Sequence, residues 1–142
     1  MRSRRKRAAE LLAPGRAIGC GVDVVELARF RQAMRRGGRA FVTRIFTPEE
    51  EAYARARKRT TLLHLAGRFA AKEAVIKAVS QVTPDRVPTM KQVEIRNDRW
   101  GRPHVLLRQR GGPADGLQIH ISLSHVKSVA VASAIALGAN GR

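Results

Sequence analysis

From Ala17 to Val25 almost every residue is apolar or small, and alternation sorts the stretch into two faces. Ile18, Cys20, Val22 and Val24 share one face, and Gly19, Gly21, Asp23 and Val25 share the other. The pattern predicts a strand in which Asp23 follows two glycines on its own face, leaving room for a bulky group to approach. Cys20 reads as core filling. The period then lengthens. Leu27, Phe30 and Met34 are spaced for one face of a helix over Glu26 to Arg36, and Gly37-Gly38 reads as its end. Phe41 to Phe46 is expected to be a short connection. Thr47-Pro48-Glu49-Glu50 carries the marks of a helix start, with Thr47 as N-cap, Pro48 at N1 and Glu50 at N3, for a helix running to about Arg57. Thr60 or Thr61 then caps a longer, mostly apolar helix to about Val79.

The second half reads as strands. Pro84 and Pro88 mark a loop, and Gln92 to Arg96 alternates. Asn97 to Gly101 turns the chain, and Pro103 to Arg108 returns it. After the loop at Gly111-Gly112-Pro113, Ile119 to Ser124 and Val129 to Leu137 form two more strands joined near Lys127-Ser128. On the last strand Ala130, Ala132, Ala134 and Ala136 share a face, small enough for a helix to pack closely. The sum is an α+β domain, a mainly antiparallel sheet packed on one long core helix.

Composition narrows the partners. A length of 142 residues with 44% apolar content suits one domain with a real core. No run of about eighteen apolar residues exists to span a membrane. The single cysteine excludes an intrachain disulfide and agrees with a reducing cytoplasm. Lys and Arg total 28 against 11 acids, a net charge of +17 that favours an acidic partner: nucleic acid, anionic lipid or acidic protein. Aromatics at 4% weaken a single-strand-binding reading, which needs stacking platforms. Residues 1–16, basic and ending in Pro14-Gly15, read as a mobile extension to a domain over 17–142.

Candidate chemistry concentrates on the first strand and the long helix. At 100° per residue Glu73 and Lys77 lie on one stripe of that helix, and Arg68 and Lys72 on another. Taken alone, Glu73 and Lys77 read as an i,i+4 surface ion pair. Asp23 in an apolar strand is costly unless paired, capping or metal-bound. If strand and helix pack together, Asp23 and Glu73 converge as two hard oxygen ligands suited to Mg²⁺, beside cations suited to phosphate. His125, at a strand end before Lys127, reads either as structural or as a phosphate ligand. No zinc pattern, Walker loop or GxSxG elbow is present.

Three segments carry a resemblance: Ile18 to Glu26 (IGCGVDVVE), Leu65 to Ala78 (LAGRFAAKEAVIKA) and Ile121 to His125 (ISLSH). In this order they resemble the holo-[acyl-carrier-protein] synthases, the short single-domain 4′-phosphopantetheinyl transferases; Trp100 to Pro103 resembles that family's Gly-Lys/Arg-Pro hairpin. The resemblance implies that fold and a reaction in which a serine of an apo acyl carrier protein takes phosphopantetheine from coenzyme A, releasing 3′,5′-ADP. It implies Asp23 and Glu73 as Mg²⁺ ligands, and Glu73 as helping to remove the serine proton, directly or through a water. Lys77 would neutralise the transferring phosphate, and Arg68, Lys72 and His125 would hold the nucleotide phosphates. Arg29, with Arg35, Arg36 and Arg44 as neighbours, would face an acidic carrier protein, which would also account for the net charge. A cytoplasmic homotrimer with sites at subunit boundaries is implied as well. The chain departs from the family pattern in three places: Val79 to Pro84 replaces a glycine-rich loop, the helix expected before the Ser-His strand is eroded around residues 110–115, and the basic extension at 1–16 is additional. A charge-driven nucleic-acid-binding module and a non-catalytic relative are the competing readings.

Overall fold

The computed structural model describes residues 16–108 and 116–140; the basic extension, apart from Arg16, and the eroded segment at 110–115 lie outside the described residues. Among these the chain runs β1 (Arg16–Glu26), α1 (Leu27–Ile45), α2 (Pro48–Arg55), α3 (Thr61–Val82), β2 (Val93–Asn97), β3 (Pro103–Leu107), β4 (Gln118–His125) and β5 (Val129–Asn140). Every strand pairing is antiparallel: β1, β5 and β4 form a sheet in that order, and β2 and β3 form a separate hairpin. This is the expected α+β arrangement.

The sheet and α3 meet where side chains are smallest. Ala130, Ala132, Ala134 and Ala136 of β5 are all buried, as are Ala66, Ala70, Ala74 and Ala78 of α3. Gly19 and Gly21 of β1 lie against the helix backbone. A Cβ added at either glycine would fall 2.0 Å from the carbonyl oxygen of Ala78 or Ala74. The bulky group that approaches the two glycines is therefore α3 itself. This contact sets the distance between the strand bearing Asp23 and the helix bearing Glu73.

β1 is an edge strand, and α3 covers its outer backbone. Gln81 Nε2 donates to the Cys20 carbonyl at 2.8 Å, the Cys20 amide donates to Gln81 Oε1 at 3.0 Å, and Lys77 Nζ donates to the Val22 carbonyl at 2.9 Å. The other face of β1 is uncovered: Ile18, Val22 and Val24 are 61%, 58% and 60% exposed. Cys20, on that face, is exposed too, so it does not fill the core as expected. Alternation sorted the two faces correctly but did not tell that only one is packed.

The helix starting at Leu27 does not end at Gly37-Gly38. Gly38 adopts φ 55° and ψ −146°, a conformation essentially confined to glycine, and α1 resumes after this break to Ile45. Val42 and Ile45 of the second segment are buried and Phe41 packs against the same core, which is what holds that segment in place. The α2 start is as read: Thr47 accepts from the Glu50 amide and Glu50 accepts from the Thr47 amide, with Pro48 in the first turn. Neither Thr60 nor Thr61 caps α3 by its side chain; their hydroxyls donate to carbonyls of Arg57, Ala54 and Lys58. No helix among the described residues is long and apolar enough to cross a membrane.

Candidate active site

Asp23 sits three residues before the end of β1, and Glu73 and Lys77 sit one turn apart on α3. The close strand–helix approach brings them together. Lys77 Nζ donates to Asp23 Oδ1 at 3.0 Å. Glu73 is half-buried, and its carboxyl is held above the usual carboxylate range, first by burial and then by the negative charge of Asp23, with Lys77 pulling the other way. Asp23 and Glu73 line one cleft of about 580 Å³, together with Val24, Glu26, Arg29 and Phe30. The convergence expected from the sequence is present.

The donor set fits a hard divalent cation. No group of three or more His, Cys, Asp or Glu side chains that could hold a metal occurs among the described residues. Two carboxylates opening on a cleft suit an ion that keeps several waters and takes its remaining ligands from phosphate. Burial raises Glu73 most, and the repulsion from Asp23 that adds to it is what a dication held by both carboxylates would relieve.

The expected phosphate ligands divide. Lys72 does not face the cleft. It is fully buried, with Nζ 2.6 Å from Glu50 Oε2 and donating to the carbonyls of Ile45 (2.5 Å) and Met90 (3.0 Å). Its ammonium joins α3 to the end of α1, the start of α2 and the turn before β2. Phosphate binding by Lys72 is thus corrected to a structural role, because all of its donor directions lead into the protein. Arg68, one turn away, is 4% exposed yet keeps a different company: Nη2 donates to Asn97 Oδ1 at 2.8 Å, and Nε has no hydrogen-bond partner. His125 is exposed at the end of β4.

Two residues around Arg68 were not singled out by sequence, and a third, His64, was noted only as showing no metal-site spacing. The guanidinium carbons of Arg57 and Arg68 lie 3.4 and 4.0 Å from the Tyr53 ring centroid. His64 packs edge-on to the same ring at 5.6 Å. The spacing of His64 and Arg68, four apart on one helix, was the available signal. Of the basic residues expected to face a partner, Arg29 lines the cleft beside Asp23 and Glu73. Arg35, Arg36 and Arg44 are exposed elsewhere on α1, outside the cleft lining.

Comparison with known proteins decides the family. Residues 19–134 match the model of the 4′-phosphopantetheinyl transferase superfamily. The chain belongs to that superfamily. Among curated phosphopantetheinyl transferases it is 38% identical over 126 residues to the holo-[acyl-carrier-protein] synthase of Mycobacterium leprae (strain Br4923), covering 83% of this chain and 95% of that one. It is 41% identical over 114 residues to the enzyme of the same name from Chlorobium luteolum, covering 80% and 94%. The fold agrees with the Chronobacterium ammoniagenes ACPS–CoA complex at a TM-score of 0.72 and 32% identity, over 84% of this chain and 96% of that one. It agrees with a holo-(acyl-carrier-protein) synthase of Bacillus anthracis in complex with CoA (3′,5′-ADP) at 0.70 and 31%, over 87% and 99%. As a phosphopantetheinyl transferase, the chain has Asp23, Glu73 and Lys77 inside the matched region, on the strand and helix that Gly19 and Gly21 let approach closely.

Proposed function

We propose that this phosphopantetheinyl transferase moves 4′-phosphopantetheine from coenzyme A to a serine of an apo acyl carrier protein, with Mg²⁺. The observation that carries the reading is the meeting of Asp23 and Glu73 at one cleft, with Lys77 bonded to Asp23. The relatives named for this activity and the neighbours holding CoA support it. The serine oxygen bonds to the β-phosphorus of coenzyme A while the bond from that phosphorus to the bridging oxygen breaks. The serine proton passes to the base, and 3′,5′-ADP departs with the bond's electron pair. Asp23 and Glu73 hold Mg²⁺, which when bound spreads the charge of the transferring phosphate. Glu73 helps to remove the serine proton, directly or through a water. Lys77 is held beside Asp23 and supplies a fixed positive charge where negative charge builds. Arg68 and His125 hold nucleotide phosphate.

Arg29 at the cleft rim faces the carrier protein. An acidic carrier fits the net charge of +17. The uncovered apolar face of β1 supports association into a homotrimer, since a strand face this apolar is normally buried. The exposed, unpaired Cys20 suits a reducing cytoplasm. Incubation of an apo acyl carrier protein with this protein, coenzyme A and Mg²⁺ tests the reading by mass spectrometry. A mass gain of one phosphopantetheine is expected; an unchanged carrier at high enzyme concentration overturns it.

A further inference from the structure

One wall of the cleft is set by the break in α1. Gly38 supplies the backbone conformation, and Gly37 lies so close to Phe41 that an added Cβ would fall 2.4 Å from the Phe41 Cβ. Phe41 thereby reaches Phe30, with ring centroids 6.1 Å apart, and both line the cleft that holds Asp23 and Glu73. The segment after the break is held at two places. Val42 and Ile45 anchor its end in the core. At its start Arg39 closes a fork onto α2: Nη1 donates to Glu51 Oε2 at 2.6 Å, and Nη2 donates to Glu51 Oε1 at 3.0 Å. Glu51 is buried and also accepts from Arg55 Nη2 at 3.4 Å. A single exposed ion pair contributes little, but two parallel bonds to one buried carboxylate fix orientation as well as distance. The fork sits directly after the glycine that otherwise leaves the chain freest to swing.

We propose that Arg39 and Glu51 are positioning residues for the acceptor: their fork, closed across the Gly38 break, holds Phe41 in place and so fixes the width of the cleft through which the carrier's serine enters. The proposal rests on the transfer reading and deepens it. Arg39 acts here through Glu51 and Phe41, not as one more cation facing an acidic partner. The two roles predict opposite signs for one substitution. Removing the charge of Glu51 leaves the surface more positive, so charge attraction alone would strengthen carrier binding. Loss of the fork weakens it, because the wall is no longer preorganised.

The test uses the full chain with coenzyme A, Mg²⁺ and an apo acyl carrier protein, as wild type, Arg39→Met, Glu51→Gln, the double variant and Gly38→Ala. KM for the carrier should rise roughly three- to tenfold in each variant, the size expected for one forked pair, with kcat and KM for coenzyme A nearly unchanged. The double variant should be no worse than either single one, since both remove the same contact. Gly38→Ala changes no charge, and its added Cβ meets nothing within 4 Å, so it acts on backbone preference alone. Hydrogen exchange read by mass spectrometry should show residues 39–45 opening faster in every variant, with α3 unchanged. A lower carrier KM in Glu51→Gln beside a higher one in Arg39→Met overturns the proposal and makes Arg39 a direct contact. Unchanged exchange at 39–45, or faster exchange with an unchanged carrier KM, also overturns it, while transfer by wild type leaves the reading beneath it standing. If Gly38→Ala does not fold, the two charge variants and their double decide. If wild type transfers nothing, that reading falls and the proposal with it.

Discussion

Replacing Lys72 by methionine isolates the role of the buried cation. Lys72 and Glu50 are both fully buried, with Nζ 2.6 Å from Oε2. At an effective dielectric of ~20 that separation corresponds to about 6 kcal/mol of attraction, set against a desolvation cost of several kcal/mol for each ion. The intact pair is therefore close to balance. Removing one partner is different, because Glu50 stays buried while still accepting from the Thr47 and Ile95 amides. Lys72→Met should cost about 3–5 kcal/mol. For a domain of this length that lowers Tm by roughly 10–17 °C. A buried carboxylate without its cation takes up a proton more readily, so the deficit should shrink as pH falls. Adding Glu50→Gln should restore only about half of the loss, since glutamine offers one acceptor oxygen where the Thr47 and Ile95 amides each need one. Melting curves at several pH values, with coenzyme A titration of the folded fraction, check this. An unchanged Tm with weakened coenzyme A binding would refute the structural assignment and return Lys72 to the ligand.

Asp23→Asn and Glu73→Gln should each lower turnover by about a hundredfold or more. Glu73→Gln should also raise Tm at neutral pH. A carboxyl raised in the folded state makes its ionised form a penalty, present above the folded pKa and absent below the unfolded one, so the gain should fade on acidification. Lys77→Ala should lower kcat about a hundredfold with little change in coenzyme A affinity, whereas Arg68→Ala should act chiefly on KM for coenzyme A; steady-state titration separates the two. Arg29→Glu should raise KM for the carrier protein by about tenfold at low salt, with the difference narrowing as salt is added. Val22→Glu on the uncovered face of β1 should reduce the assembly to smaller species by light scattering; an unchanged molar mass would place the interface elsewhere.

The parts of the fold that repeat were legible in the sequence. Alternation in β1 and β5 predicted both the register of faces and the small-residue surface under α3. The capping box at Thr47 and Glu50 fixed the start of α2. What failed was long-range. Gly37-Gly38 is a chain break in one sense, but Val42 and Ile45 find the core beyond it, and tertiary burial outweighs a local stop signal. Two charged stripes on α3 were separable by period. Which one points inward was not, because the helix is apolar nearly all the way round and its charges mark no single wet side. The partner that captures Lys72, Glu50, lies on another helix whose placement no local pattern states. Tyr53 and Arg57, which crowd Arg68, lie on the preceding helix and the turn after it, and no local pattern states that contact either.

The helix that carries Glu73 also closes the edge of the sheet. Lys77 and Gln81, one turn apart, occupy the outward hydrogen-bonding groups of Cys20 and Val22. Without them β1 would present an open backbone ladder next to an apolar face, the combination that recruits foreign strands into aggregates. Lys77, proposed above to act on the transferring phosphate, thus also guards the sheet edge against misassembly. On the proposed reading, selection to keep the chain soluble and selection to keep it active fall on the same side chain.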